Sequence, residues 1–135
     1  MKNILFILLI LGSGAYQSKA QVKESYKAQI AYKIVETSPR CKQLTKGLYE
    51  RIVKNGGTSY GIMLESSPNP GTDLSGSYSK TYNFSLHQNY PDRLMVTNYF
   101  VFDPKKKQLY EDDVLNGKLI PIPFDKKLLA LFNKK

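Results

Sequence analysis

The sequence predicts an α+β fold: two N-terminal helices packed on one face of an antiparallel meander of four to five strands. Three observations carry that expectation. Residues 22–36 and 39–55 repeat their apolar side chains at helical spacing. After Gly57 the apolar period drops to two. From there on, clusters of Gly, Pro, Asn, Asp and Ser separate the apolar runs at the spacing of hairpins. Runs of helix followed by runs of strand, without alternation, are the mark of α+β rather than of a parallel sheet.

In the first helix Val22, Tyr26, Ile30 and Ile34 form one stripe, which Ala28 and Ala31 reinforce. Thr37-Ser38-Pro39 interrupts it. Ser38 suits an N-cap, and Pro39 falls at the first helical position, where its missing N–H is not needed. The second helix is predicted from Pro39 to Asn55, burying Cys41, Leu44, Leu48, Ile52 and Val53, with Lys42, Lys46, Glu50 and Lys54 in water. Asn55-Gly56-Gly57 stops it.

The first strand is predicted over residues 58–66, with Tyr60, Ile62 and Leu64 on one face. Residues 67–77 read as a long loop. Strands over 78–87, 94–103, 108–114 and 118–122 follow, the last flanked by Pro121 and Pro123 and so suited to an edge. Asn116-Gly117 is a hairpin signal, and Asp125 can cap a final turn bearing Leu128, Leu129 and Phe132. At the third hairpin a four-residue loop sets Phe100 opposite Glu111, an acid on the apolar face. A five-residue loop, 103–107, sets Phe100 opposite Tyr110 instead, and the sequence predicts that register. The helices are then expected over Ile62, Phe84, Phe100 and Tyr110.

Residues 1–20 read as an export signal: Lys2, an apolar run from Ile4 to Leu11, and small residues Ser18 and Ala20 before a cut after Ala20. The run spans only about 12 Å as a helix, short of a bilayer core of roughly 30 Å. Residues 21–135 are expected to form a single exported domain, periplasmic or secreted, with no membrane anchor after cleavage. Loss of Lys2 and Lys19, with no acid, lowers the net charge from +9 to +7. That charge favours an anionic envelope or extracellular partner, or simply solubility. Cys41 is the only cysteine, so no internal disulfide exists, and its place on a helix stripe predicts burial.

Several chemistries lose support. With one His and one Cys, a zinc site built on imidazole and thiolate is excluded within one chain. Cys41 on a helix and His87 at a strand end do not suggest a nucleophile and its base. Glu111-Asp112-Asp113 lacks calcium-loop spacing, and alternate residues of a strand point to opposite faces. No phosphate-binding loop or dinucleotide fingerprint occurs. Aromatics are not interleaved with Lys or Arg, so nucleic acid is not expected as a partner, and no cofactor is implied.

The order helix, helix, antiparallel meander is similar to the cystatin-like and NTF2-like folds, in which a curved sheet wraps a helix. The stretch YFVFDPKKKQLYEDDVLNGKLIPIPFD resembles the C-terminal hairpins of small exported bacterial proteins of that architecture. Such folds host ligand cups, enzymes and protease inhibitors. Gln43-Leu44-Thr45-Lys46-Gly47 approaches the QxVxG of cystatin inhibitors but departs at its centre and lies in a predicted helix, and the chain has no Trp. The inhibitory role is therefore not carried over from the resemblance.

The leading expectation is an exported, non-catalytic binding protein. Its candidate face lies opposite the helices and carries Met63, His87, Met95, Tyr99 and Val101, with Ser85 and Thr97 between them. Such a face suits a protein partner or a homodimer. The alternative is an NTF2-like ligand cup or enzyme with a pocket lined by Tyr60, Tyr82, Phe100 and Tyr110. A third reading is an inhibitor of a secreted hydrolase acting through loop tips.

Overall fold

The computed structural model describes residues 25–134. The predicted export signal and the start of the first predicted helix, Val22 included, lie outside these residues. Helix α1 (Tyr26–Glu36) begins at Ser25, whose Oγ accepts from the Ala28 N–H at 3.1 Å. Its buried side is Ala28, Ile30, Ala31, Ile34 and Val35. Ser38 caps α2 (Pro39–Thr45) as expected, and it also donates to the Val35 carbonyl, which fixes the bend between the two helices.

The predicted second helix is two helices. It breaks at Lys46-Gly47, and α3 (Leu48–Lys54) starts afresh. Gly47 takes φ 67°, a conformation that glycine enters without a Cβ clash. The break turns Val53 into solvent while Leu48 and Ile52 stay buried. Gly56 and Gly57 then end the helical region. A Cβ on Gly57 would lie 2.4 Å from Ile52 Cγ2 and 3.0 Å from the Asn89 carbonyl, so this close approach requires glycine.

The sheet has six strands rather than four or five: β1 (Ser59–Ser67), β2 (Ser77–Tyr78), β3 (Tyr82–Tyr90), β4 (Arg93–Asp103), β5 (Gln108–Asp113) and β6 (Lys118–Ile122), in the order β2-β1-β3-β4-β5-β6. The extra strand straddles the boundary between the predicted 67–77 loop and the predicted 78–87 strand. The loop holds a single helical turn, α4 (Pro70–Asp73), and leads into β2, which runs parallel to the end of β1. A Ser67 Oγ–Ser75 Oγ hydrogen bond of 2.7 Å ties the segment down. Between β2 and β3, Asn83 Nδ2 donates to Ser79 Oγ at 3.0 Å, and Ser79 Oγ accepts from the Thr81 N–H. These local polar bonds separate two strands that the sequence merges.

The β4–β5 hairpin has the four-residue loop. Asp103 pairs with Gln108, and Phe100 pairs with Glu111, not Tyr110. Two things outweigh the acid on the apolar face. The register places Leu109, wholly buried, opposite Phe102 in the core. Glu111 sits at the margin, where Arg40 Nε reaches Oε1 at 3.0 Å and Oε2 at 3.1 Å. Tyr110 accordingly faces away from the helices. The turn is built by the Asp103 carboxylate, which accepts from the Lys105 and Lys106 N–H groups, and by Lys107 at φ 53°. The β5–β6 loop repeats the device, with Asp113 accepting from the Asn116 N–H and Gly117 at φ 64°.

Helix α5 (Lys127–Phe132) closes the covered face, with Asp125 accepting from the Lys127 N–H. Phe132 packs edge-on against Phe102 and Tyr82, with ring centroids 5.3 and 5.6 Å away. The core joins the α1 stripe, Cys41, Tyr82, Phe84, Leu86, Phe100, Phe102, Leu109, Ile122, Phe124 and Phe132.

Candidate functional site

Every helix-packed core side chain lies on one face of the sheet, which leaves the other face without secondary structure over it among the described residues. Pairing fixes which side chains that open face carries. Met63 pairs with Ser85 and Ser85 with Tyr99, so those three form one row. Gly61, His87 and Val96 form the next row, and Asn83, Val101 and Tyr110 form another.

Of the five predicted face residues, Met63, His87, Tyr99 and Val101 do share this face. Met95 does not. A bulge at Thr97 lets Asn98 pair with Leu86 while Val96 pairs with His87, so Val96 takes the outward place. Met95 pairs with Gln88, on the same side as Leu86 and Tyr60.

The rows are graded in size. Ser85 is small and lies between Met63 and Tyr99, so it is buried without any cover, and its Oγ donates to Glu65 Oε1 at 2.6 Å. The His87 ring lies over Gly61, where a Cβ would meet its Cε1 and Nε2 at 3.1 Å. His87 Nδ1 is buried without a hydrogen-bond partner among the described residues. The Ser85 proton is committed to Glu65, and Cys41 lies across the sheet from His87, so neither forms a nucleophile–base pair with the imidazole. Burial, followed by the charge of Glu36, pushes the Cys41 thiol up to about 11. Among the described residues no three of His, Cys, Asp and Glu cluster to hold a metal, and no helix is long and apolar enough to cross a membrane.

A shallow cavity of about 560 Å³ lies on the open face, with Val96, Tyr99, Val101 and Asn83 along it and Glu65 and Asp112 at its sides. Neither carboxylate has an ion-pair partner among the described residues. Asp103 also points outward, while no outward strand position carries Lys or Arg. In a chain of net charge +9, the open face is therefore locally acidic and apolar.

The four residues of the predicted interior pocket do not meet. Phe100 is wholly buried, Tyr110 is on the open face, and Tyr60 is half-exposed beside α2. Tyr82 alone reaches a larger cavity, of about 620 Å³, between the start of α1, α4 and the C-terminal end. Burial pushes the Tyr82 phenol up to about 12, and the charge of Asp73 adds to the shift.

Sequence reasoning missed Val96, whose side the Thr97 bulge decides, Asp112, whose side the four-residue β4–β5 loop decides, and Glu65, which sits at the irregularity between Leu64 and Ser66. It missed Asp73 because an acid in a run of turn residues reads as solvated. Gln43 to Gly47, the segment that approaches the cystatin motif, spans the α2–α3 break, and Gln43 accepts from Arg40 there. Comparison with known proteins finds no family model, no curated protein and no solved structure that matches this chain.

Proposed function

We propose that this is an exported, non-catalytic binding protein that engages a protein partner through the open face of its sheet. The observation that carries the reading is the composition of that face. Met63 and Tyr99 stand exposed with Val96 and Val101 between carboxylates that nothing neutralises. An apolar surface of this kind is better matched by a partner than by water. Its charge favours a partner that presents Lys or Arg beside apolar residues, since carboxylate and aromatic ring both attract a cation. A second copy of this face is a poor match, because it would set Glu65 and Asp112 against like charges. Lys42, Lys46, Lys54 and the Lys105–Lys107 tip lie on the helices and loop ends. They are free to meet an anionic envelope surface while the sheet face stays available.

The finer fold reading remains kinship with cystatin-like and NTF2-like folds, supported by α1 lying across an antiparallel sheet. The parallel β2 and the broken second helix depart from the layout that reading expects. The export reading rests on residues 1–20 of the sequence.

The test uses a fluorescent peptide of alternating Lys and Leu as the probe, at low and moderate salt. The purified protein is expected to bind it, and Tyr99→Lys and Glu65→Gln are each expected to weaken binding about tenfold with the fold intact. Binding that survives both substitutions, or a dimer by light scattering that is lost on Tyr99→Lys, overturns the reading.

A further inference from the structure

The cavity beside Tyr82 lies on the helix-covered side, and the open face plays no part in it. Ser25, Tyr26, Lys27, Asn69, Thr72, Asp73, Tyr82 and Lys134 line it. Its inner wall is fixed by the backbone: the Ser25 N–H donates to the Thr72 carbonyl at 2.9 Å and joins α1 to α4.

Asp73 is 2% exposed, unusual for a carboxylate. Ser25 Oγ donates to its Oδ1, and the Asn69 N–H donates to its Oδ2 at 3.1 Å. No Lys or Arg pairs with it among the described residues. Two donors leave about half of a carboxylate's acceptor capacity open. A buried charge that lacks a cation is normally costly.

Tyr82 is equally buried as a residue and lines the cavity, with no described side chain or backbone group in a hydrogen bond to its hydroxyl. Its ring is held by Phe132 and Phe102. The cations stand elsewhere on the cavity wall. Lys27 Nζ sits 5.4 Å from the centre of the Phe132 ring, and Lys134 follows α5.

We propose that this cavity binds a small zwitterion, an α-amino acid with an apolar side chain, its ammonium directed to Asp73 and the Tyr82 hydroxyl and its carboxylate to Lys27 and Lys134. The polarity selects that class. A simple anion meets the Asp73 carboxylate, and a simple cation meets the two lysines. A zwitterion supplies the missing cation to Asp73 and gives the lysines their counter-charge. The volume suits it, and the Tyr26 and Tyr82 rings offer apolar surface to its side chain.

The test compares L-phenylalanine with phenethylamine, which lacks the carboxylate, and 3-phenylpropionate, which lacks the ammonium. Each is titrated into the full chain and followed by amide NMR shifts and calorimetry. Phenylalanine is expected to shift the amides of Thr72, Asp73 and Tyr82 and to bind at least about tenfold more tightly than either analogue. Asp73→Asn also removes a structural contact and can fail to fold, so the deciding variants are Tyr82→Phe and Lys134→Ala. Each is expected to weaken phenylalanine binding about fivefold or more while the spectrum of the folded protein persists. No shift at millimolar phenylalanine, equal binding of 3-phenylpropionate, or unchanged binding in the Tyr82→Phe, Lys134→Ala double variant overturns the proposal.

Discussion

Phe84, Phe100, Phe102 and Leu109 keep none of their surface, whereas Met63 and Tyr99, on the opposite face of the same sheet, keep 42% and 39%. On the helix-covered face, burial comes from other elements packed on top, and the side chains are large. On the open face Ser85 is buried only because its neighbours are bigger than it is. The comparison teaches that burial alone does not mark a core. A residue hidden under helices holds the fold, while one hidden among its neighbours shapes a surface.

The sharpest way to break this comparison is Phe100→Ala. Removing a wholly buried ring between the sheet and α1 is expected to lose about 3–5 kcal/mol of stability in urea unfolding. A loss below ~1 kcal/mol would mean that the covered face is not the core. Gly57→Ala comes next, because its Cβ runs into buried Ile52 and the Asn89 backbone. A loss of about 1–3 kcal/mol is expected, seen as a lower urea midpoint at unchanged slope.

Arg40→Ala probes the margin between the faces. The pair is partly solvated, with the Arg40 side chain 36% exposed, so a loss of no more than about 1 kcal/mol is expected. A double-mutant cycle with Glu111→Gln measures the coupling itself. A further effect appears only in alkali. An unfolded thiol ionises near pH 9, and buried Cys41 holds its proton to about 11. The folded state then binds more protons than the unfolded state, so this part of the stability is complete below about pH 9 and falls as the pH rises toward 11. Cys41→Ala is expected to flatten the unfolding free energy across that window. Tyr99→Lys is expected to change stability by no more than ~0.5 kcal/mol while weakening binding of the basic probe peptide about tenfold. A large stability loss there would mean that the open face is covered in the working protein.

Much of the covered face was legible. Ile30, Ile34 and Cys41 announced their burial by helical spacing, and Ser38-Pro39 announced a helix start, because capping depends on the nearest few residues. The open face was legible only in part. Met63, Tyr99 and Val101 follow from simple alternation, but Met95 and Val96 exchange sides at the Thr97 bulge. A bulge inserts one residue and inverts everything beyond it, and nothing in a period-two run marks where it falls. The Phe100–Glu111 register did leave a signal. Asp103 and Asp113 both precede a four-residue loop whose last residue, Lys107 or Gly117, is left-handed, and the second loop, which ends in glycine, states the rule for the first.

The sequence by itself determined the class of fold, the order of its main elements, the burial of Cys41 and the shortage of imidazole and thiolate for metal chemistry. These follow from local spacing and from residue counts. Tertiary structure alone decided that Glu111 could sit on the apolar face, because Arg40, distant in sequence, arrives there on α2. It also decided that Asp73 and Tyr82 share a cavity and that Glu65 and Asp112 flank the open face of a basic protein with no Lys or Arg beside them on its strands. Each of these depends on which distant segments meet, and register, bulges and helix breaks settle that through packing, not through any local preference of the chain.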